Sequence, residues 1–156
     1  MNLKEKQKKI LRLLQSNGKL SSKDITKKVG GKITTVYAQI KKMEELGIIK
    51  EYKTILDPKK LGKPATAFVF ATLAYPASKE GLVSRKRITN EIANYFEVQE
   101  VHVITGDWDI LIKIKGKDVD EMSNFVMNKI RTKHEIEKTL TCIVFETAKE
   151  TMDILI

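Results

Sequence analysis

The chain has 156 residues, 42% of them hydrophobic, with a single cysteine and a formal net charge of +9. That length can bury one or two modest cores, while the lone Cys142 excludes an internal disulfide and a cysteine-rich zinc site. No apolar run approaches the ~20 residues of a membrane span, and Met1–Lys6 lacks the apolar core of a secretory signal, so a soluble, cytoplasmic protein without metal or cofactor is expected.

The charge is uneven. Residues 1–63 carry 17 Lys/Arg against 6 Asp/Glu, a net +11, and the remainder nets −2. Such asymmetry suits a half that meets a polyanion and a half with another task. The competing reading is a solvated, lysine-rich surface of the kind found in heat-stable proteins.

In chain order, Leu3–Ser16 has the spacing of an amphipathic helix, with Leu3, Ile10, Leu11 and Leu14 inward and Asn17-Gly18 as its stop. Ser21 or Ser22 can cap a second short helix that buries Ile25 and Val29, and Gly30-Gly31 turns the chain. A third helix, about Ile33–Leu46, aligns Ile33, Val36, Ile40 and Met43 on one stripe and ends at Gly47. Three helices with a glycine turn before the third describe a helix-turn-helix unit over residues 1–50. The opposite face of the third helix carries Thr34, Ala38 and Lys41, flanked by Thr35, Tyr37 and Lys42. Small and hydroxyl side chains suit base edges, including the thymine methyl, and lysines suit phosphates. Duplex DNA is the expected partner of this face.

Ile48–Leu56 is β-prone and Asp57-Pro58 breaks it, so residues 51–64 are read as a β-strand linker that needs an edge to pair with, supplied by a second chain. Residues 65–156 then alternate. Ala65–Ala74 reads as a strand buried on both faces, ended by Tyr75-Pro76. Glu80–Phe96 reads as a helix with Val83, Ile88, Ile92 and Tyr95 or Phe96 inward. Val98–Lys115 has period-two alternation on both sides of a Thr105-Gly106-Asp107-Trp108-Asp109 turn, which predicts a hairpin. Asp118 caps a further helix with Val119, Met122, Val126 and Ile130 inward, and Ile136–Thr147 forms a last long strand. The order β-α-β-β-α-β predicts an α+β, ferredoxin-like domain with one antiparallel sheet, two helices on one face and the other face open to self-association.

These residues together resemble the Lrp/AsnC (leucine-responsive, feast/famine) family of regulators over nearly the whole chain. The resemblance rests on Ile10–Gln15, Val29-Gly30 and Val36–Ile49 in the helical part. In the second part it rests on Val98-Gln99-Glu100-Val101 followed by Thr105-Gly106-Asp107-Trp108-Asp109, similar to the family's V-x-x-V…T-G-x-aromatic-D signature. It implies a transcriptional regulator that binds duplex DNA as dimers, assembles into tetramers or octamers and takes an amino acid or similar metabolite in the ferredoxin-like domain. On this chain the implied effector residues are Thr105, Gly106, Asp107, Trp108, Asp109, Thr139 and Thr141. Asp107 or Asp109 can hold an α-ammonium, with turn N–H groups and threonine hydroxyls for a carboxylate. Gly106 and Asp109 can equally serve the turn alone. The chain departs from the family pattern at Lys4 and Gln7, at Lys32 in the serine cap position, at Gln39, and at Lys133–Ile136 in place of Pro-Gly-Val.

Two other readings compete. Some chains of this plan resemble tetrapyrrole decarboxylases, for which His102 is the one strand histidine. The basic helices can also serve RNA or another protein.

Overall fold

The computed structural model describes residues 3–74 and 80–156, with side chains described outside 75–84. The expectations for Tyr75-Pro76 and Val83 lie outside the described residues. The chain divides into two compact units, one of Met1–Ile55 with Lys149–Ile156 and one of Leu56–Ala148. The C-terminal eight residues therefore group with the helical unit rather than with the domain expected over 65–156.

In the first unit, α1 (Glu5–Ser16), α2 (Ser22–Val29) and α3 (Ile33–Glu45) bury Ile10, Leu11, Ile25, Val36, Ile40 and Met43 in one core. Ser21 is the cap of α2, its hydroxyl oxygen accepting from the Asp24 N–H at 3.2 Å. Gly47, at φ +68°, stops α3, and the Ile48 N–H reaches back to the Met43 carbonyl at 2.9 Å. That backward bond satisfies a carbonyl the helix leaves open. Ile33 departs from the expected stripe and is 46% exposed. It occupies the first turn of α3, and the buried stripe starts one turn later at Val36.

The linker is read from sequence as a strand completed by a second chain, a partner that this single chain does not supply. Residues 51–57 have no regular structure, and Ile55 is 93% exposed. A strand exists only as one member of a hydrogen-bonded pair, and among the described residues no segment of the chain pairs with this one.

In the second unit, β1 (Ala65–Leu73), β2 (Val98–Val103), β3 (Ile110–Gly116) and β4 (Ile136–Ile143) form an antiparallel sheet in the order β2-β3-β1-β4. Alternation decides the faces. Ala67, Val69, Ala71 and Leu73 of β1 and Ile110, Ile112 and Ile114 of β3 are buried against α4 (Glu80–Ala93) and α5 (Val119–Phe125), which supply Ile88, Ile92, Met122 and Phe125. On the other face, Phe68 pairs across with Lys113 and Cys142, and Phe70 with Leu111 and Leu140. β1 is thus fully buried on one face and half-buried on the other, because the chain covers only one side of the sheet.

Helix ends explain the remaining differences. Tyr95 packs on the core while Phe96 is 94% exposed, since the helix has ended at Ala93. Val119, at the first position of α5, is exposed, and Phe125 is buried in its place. After Phe125 the helix widens into a π-turn over Val126–Ile130, with the Arg131 N–H bonded to the Val126 carbonyl at 2.9 Å. Met122, Phe125, Val126 and Ile130 follow at helical spacing and all reach the core. β4 ends at Ile143 rather than Thr147, because β1 begins at Ala65 and offers no partner beyond the Val144 N–H to Thr66 carbonyl bond.

Candidate nucleic-acid interface and effector turn

With Val36, Ile40 and Met43 inward, α3 leaves Thr34, Thr35, Tyr37, Ala38, Lys41 and Lys42 exposed on its outer surface. All six residues selected from the sequence lie there together. Their charges are not equivalent. Lys41 Nζ lies 2.7 Å from Glu44 Oε2, and Tyr52 donates to Glu44 Oε1 at 3.0 Å. The hydrogen bond to Glu44 raises the Lys41 pKa and lowers that of Glu44. Desolvation, then the same carboxylate, pushes the Tyr52 phenol up to about 12. Lys42 has no carboxylate partner among the described residues. Glu44 and Tyr52 were not foreseen; Glu44 follows Lys41 by three residues, a helical pairing distance, whereas nothing local marks Tyr52.

The turn before α3 is held from α1. Lys6 Nζ donates to the Gly30 carbonyl at 2.6 Å. Gly31, at φ +94°, faces the same ammonium so closely that a Cβ there would stand 2.5 Å from Nζ. Glycine suits this turn for both reasons. The Lys32 side chain makes no capping bond to α3.

The second candidate site is the β2–β3 connection. Gly106 has φ +110°, the Ile104 N–H bonds to the Asp109 carbonyl at 2.9 Å, and the Asp109 N–H bonds to Ala71 on β1 at 3.0 Å. The Asp109 carboxylate accepts from the Leu73 N–H at 2.8 Å. Asp109 therefore fastens the turn to β1. Thr105 and Asp107 are exposed at the tip. Trp108 lies against Phe70, ring centroids 6.0 Å apart, with Lys138 Nζ 5.1 Å from the indole ring. Thr139 and Thr141 pair with Ala71 and Val69, so they share the helix-facing side of the sheet while Trp108 takes the Phe70 side. Within one chain the seven residues are spread from the turn to the middle of β1 and over both faces of the sheet, so they are not gathered on one surface. A depression of ≈ 530 Å³ lies elsewhere, along α5 between Glu97, Lys117 and Lys129.

His102 is exposed, 3.2 Å from Glu100, which also pairs with Lys113 at 3.0 Å. Nothing in these surroundings favours an enzyme.

Comparison with known proteins agrees with both halves. Residues 3–50 match the winged helix-turn-helix DNA-binding family, and residues 66–154 match the Lrp/AsnC ligand binding domain. The HTH-type transcriptional regulator FL11 of Pyrococcus horikoshii is 36% identical over 97% of this chain and 95% of its own length. The transcriptional regulator AzlB of Bacillus subtilis is 34% identical over 97% and 94%. An AsnC family regulator from Agrobacterium tumefaciens superposes with TM-score 0.89 at 31% identity, covering 98% of this chain and 97% of that one. A regulator of Neisseria meningitidis, solved with L-methionine, shares the fold at TM-score 0.90 and 23% identity, over 99% and 97%. The chain belongs to the Lrp/AsnC family of transcriptional regulators. It is a DNA-binding regulator with a ligand-binding domain, and no helix among the described residues is long and apolar enough to cross a membrane.

Proposed function

We propose that this regulator reads duplex operators with the outer face of α3 and adjusts its affinity when an amino acid binds at the turn Thr105–Asp109. One observation carries the first half: the six exposed residues of α3 combine hydroxyl, small and cationic groups on a segment with net charge +11. Thr34, Thr35 and Ala38 approach base edges, Tyr37 packs beside them, and Lys41 and Lys42 take phosphates. The test is the salt dependence of binding to duplex DNA. Binding falls steeply with salt as lysines release condensed counterions; a salt-insensitive interaction, or none with any duplex, overturns the reading.

For the effector, Asp107 is the stronger ammonium partner, because the Asp109 carboxylate is already bonded to β1 while Asp107 stands exposed. The seven residues are divided between the two faces of the sheet, so a second subunit completes the pocket. The face formed by half-buried Phe68, Phe70 and Leu111 and exposed Leu140 supports a dimer formed sheet against sheet, with dimers joining into tetramers or octamers in the cytoplasm. Calorimetry with the L-amino acids, L-methionine among them, tests the site against Asp107→Ala. Equal affinity in the variant removes Asp107 from it.

A further inference from the structure

Residues 149–156 have neither helix nor strand of their own, yet three hydrogen bonds hold them on α1. Gln15 Nε2 donates to the Ile154 carbonyl at 3.0 Å, and the Ile154 N–H donates back to Gln15 Oε1 at 2.7 Å. Arg12 Nε donates to the Ile156 main-chain oxygen at 2.6 Å. Arg12 and Gln15 are three residues apart and share one face of α1. The Ile156 side chain packs on the core formed by Ile10, Leu11 and Val36.

The chemistry is that of strand recognition. A primary amide has one acceptor oxygen and an NH₂ donor. When it engages both the N–H and the C=O of one residue, it reproduces a rung of a β-ladder. Such an arrangement reads main chain and tolerates any side chain, as strand-addition sites do. Selectivity comes from Ile156, whose side chain packs against the core, while Met152 and Leu155 stay exposed. The consequence is topological. The chain leaves the DNA-binding unit at Ile55 and re-enters it at Lys149, so two covalent crossings join that unit to the sensing unit. The second crossing follows β4.

We propose that α1 carries a strand-docking site, built from Arg12 and Gln15 and occupied by this chain's own segment 149–156, and that DNA binding depends on its being seated. The seated strap completes the core on which α3 rests. It also gives the sensing unit a route to the DNA-binding unit that bypasses the linker.

The test uses the full chain and its Gln15→Ala and Arg12→Ala, Gln15→Ala variants. Amide exchange is measured at Ile154 and along α1 and α3, and affinity is measured for a fixed duplex. Release of the strap speeds exchange at Ile154 and along α1 and lowers duplex affinity about ten-fold, the loss of roughly one to two net hydrogen bonds. The salt slope of the uncharged Gln15→Ala change stays that of the parent, since no phosphate-binding group is removed. A chain ending at Ala148 shows the same loss, and the peptide Lys-Glu-Thr-Met-Asp-Ile-Leu-Ile restores its affinity, but not when Gln15 is also alanine. Parental duplex affinity in the double variant despite fast Ile154 exchange overturns the proposal, as does parental exchange at Ile154. If the shortened chain fails to fold, the double variant decides alone. Failure of the parent itself to bind duplex DNA is read separately, because the exchange measurements need no DNA.

Discussion

Asp109 and Leu73 are 36 residues apart, and the Asp109 carboxylate accepts the Leu73 N–H at 2.8 Å. The bond closes the end of the sheet where β1 stops and the β2–β3 connection turns, and it gives different surroundings to two acidic residues, both of which the sequence offered to an α-ammonium. Asp109 faces the protein and Asp107 faces out.

Replacing Asp109 with alanine removes an ionic acceptor from a partly buried backbone N–H, a loss of about 1–3 kcal/mol. Asp107→Ala stays within about 0.5 kcal/mol of the parent, as exposed surface changes do. Thermal unfolding of the two variants side by side measures this. Equal melting temperatures would mean that the Leu73 bond contributes nothing to stability.

The two lysines of α3 are predicted to differ in kind. Lys42→Ala lowers the slope of log affinity against log salt by the share of about one phosphate. Lys41→Ala lowers it by less, because Glu44 already neutralises that ammonium at 2.7 Å. Glu44→Gln removes the competitor and raises affinity for all duplexes alike. Titrations of the three variants over a range of salt give the slopes, and identical slopes for Lys41→Ala and Lys42→Ala would refute the distinction.

Changes at Thr34, Thr35 or Ala38 shift preference between operators, by about 1–3 kcal/mol for each base edge no longer read. Selection from a random duplex pool reports this. An unchanged consensus with uniformly weaker binding would assign these residues to the DNA backbone instead.

Tyr52 carries a pH dependence of definite sign. Its folded pKa of about 12 lies above the ordinary phenol value of 10.0, chiefly through desolvation and then through Glu44. The protonated phenol is thus the form the fold favours, and its contribution is complete below pH ~10 and lost as pH rises toward ~12. The stability difference between the parent and Tyr52→Phe is therefore constant at neutral pH and shrinks above ~10. A difference that is flat through the alkaline range would detach Tyr52 from Glu44.

Leu140→Lys puts a charge on the uncovered sheet face, on the edge strand β4 beside Phe70. The folded chain is retained, since the residue is already 46% exposed, while self-association is abolished. Sedimentation gives the mass, and an unchanged assembly would move the dimer interface off this face.

Much of the molecule was legible from sequence because its periodicities are local. The spacing of Ile10, Leu11, Val36, Ile40 and Met43 set the inward faces of the helices, and the alternation of Ile110, Ile112 and Ile114 set one face of β3. The exposed residues of α3 followed as the complement of its buried stripe. The motif around Gly106-Asp107 pointed to the family, and the matches over residues 3–50 and 66–154 agree with it.

What tertiary structure alone decided are relationships between distant residues. The π-turn over Val126–Ile130, closed by the Arg131 N–H on the Val126 carbonyl, is announced by no periodicity in the sequence. Ile48–Leu56 has the composition of a strand, yet strand formation is a property of a pair and, among the described residues, the chain supplies no second member. Asp109 became a fastener only because Leu73 arrives beside it. Residues 149–156 read as the tail of one domain and belong by packing to the other, because Gln15 and Ile154 are 139 positions apart. A sequence records which faces are apolar at each step, since that is written in neighbours. It does not record which polar group will stand within hydrogen-bonding reach of which, since that distance exists only once the chain has folded.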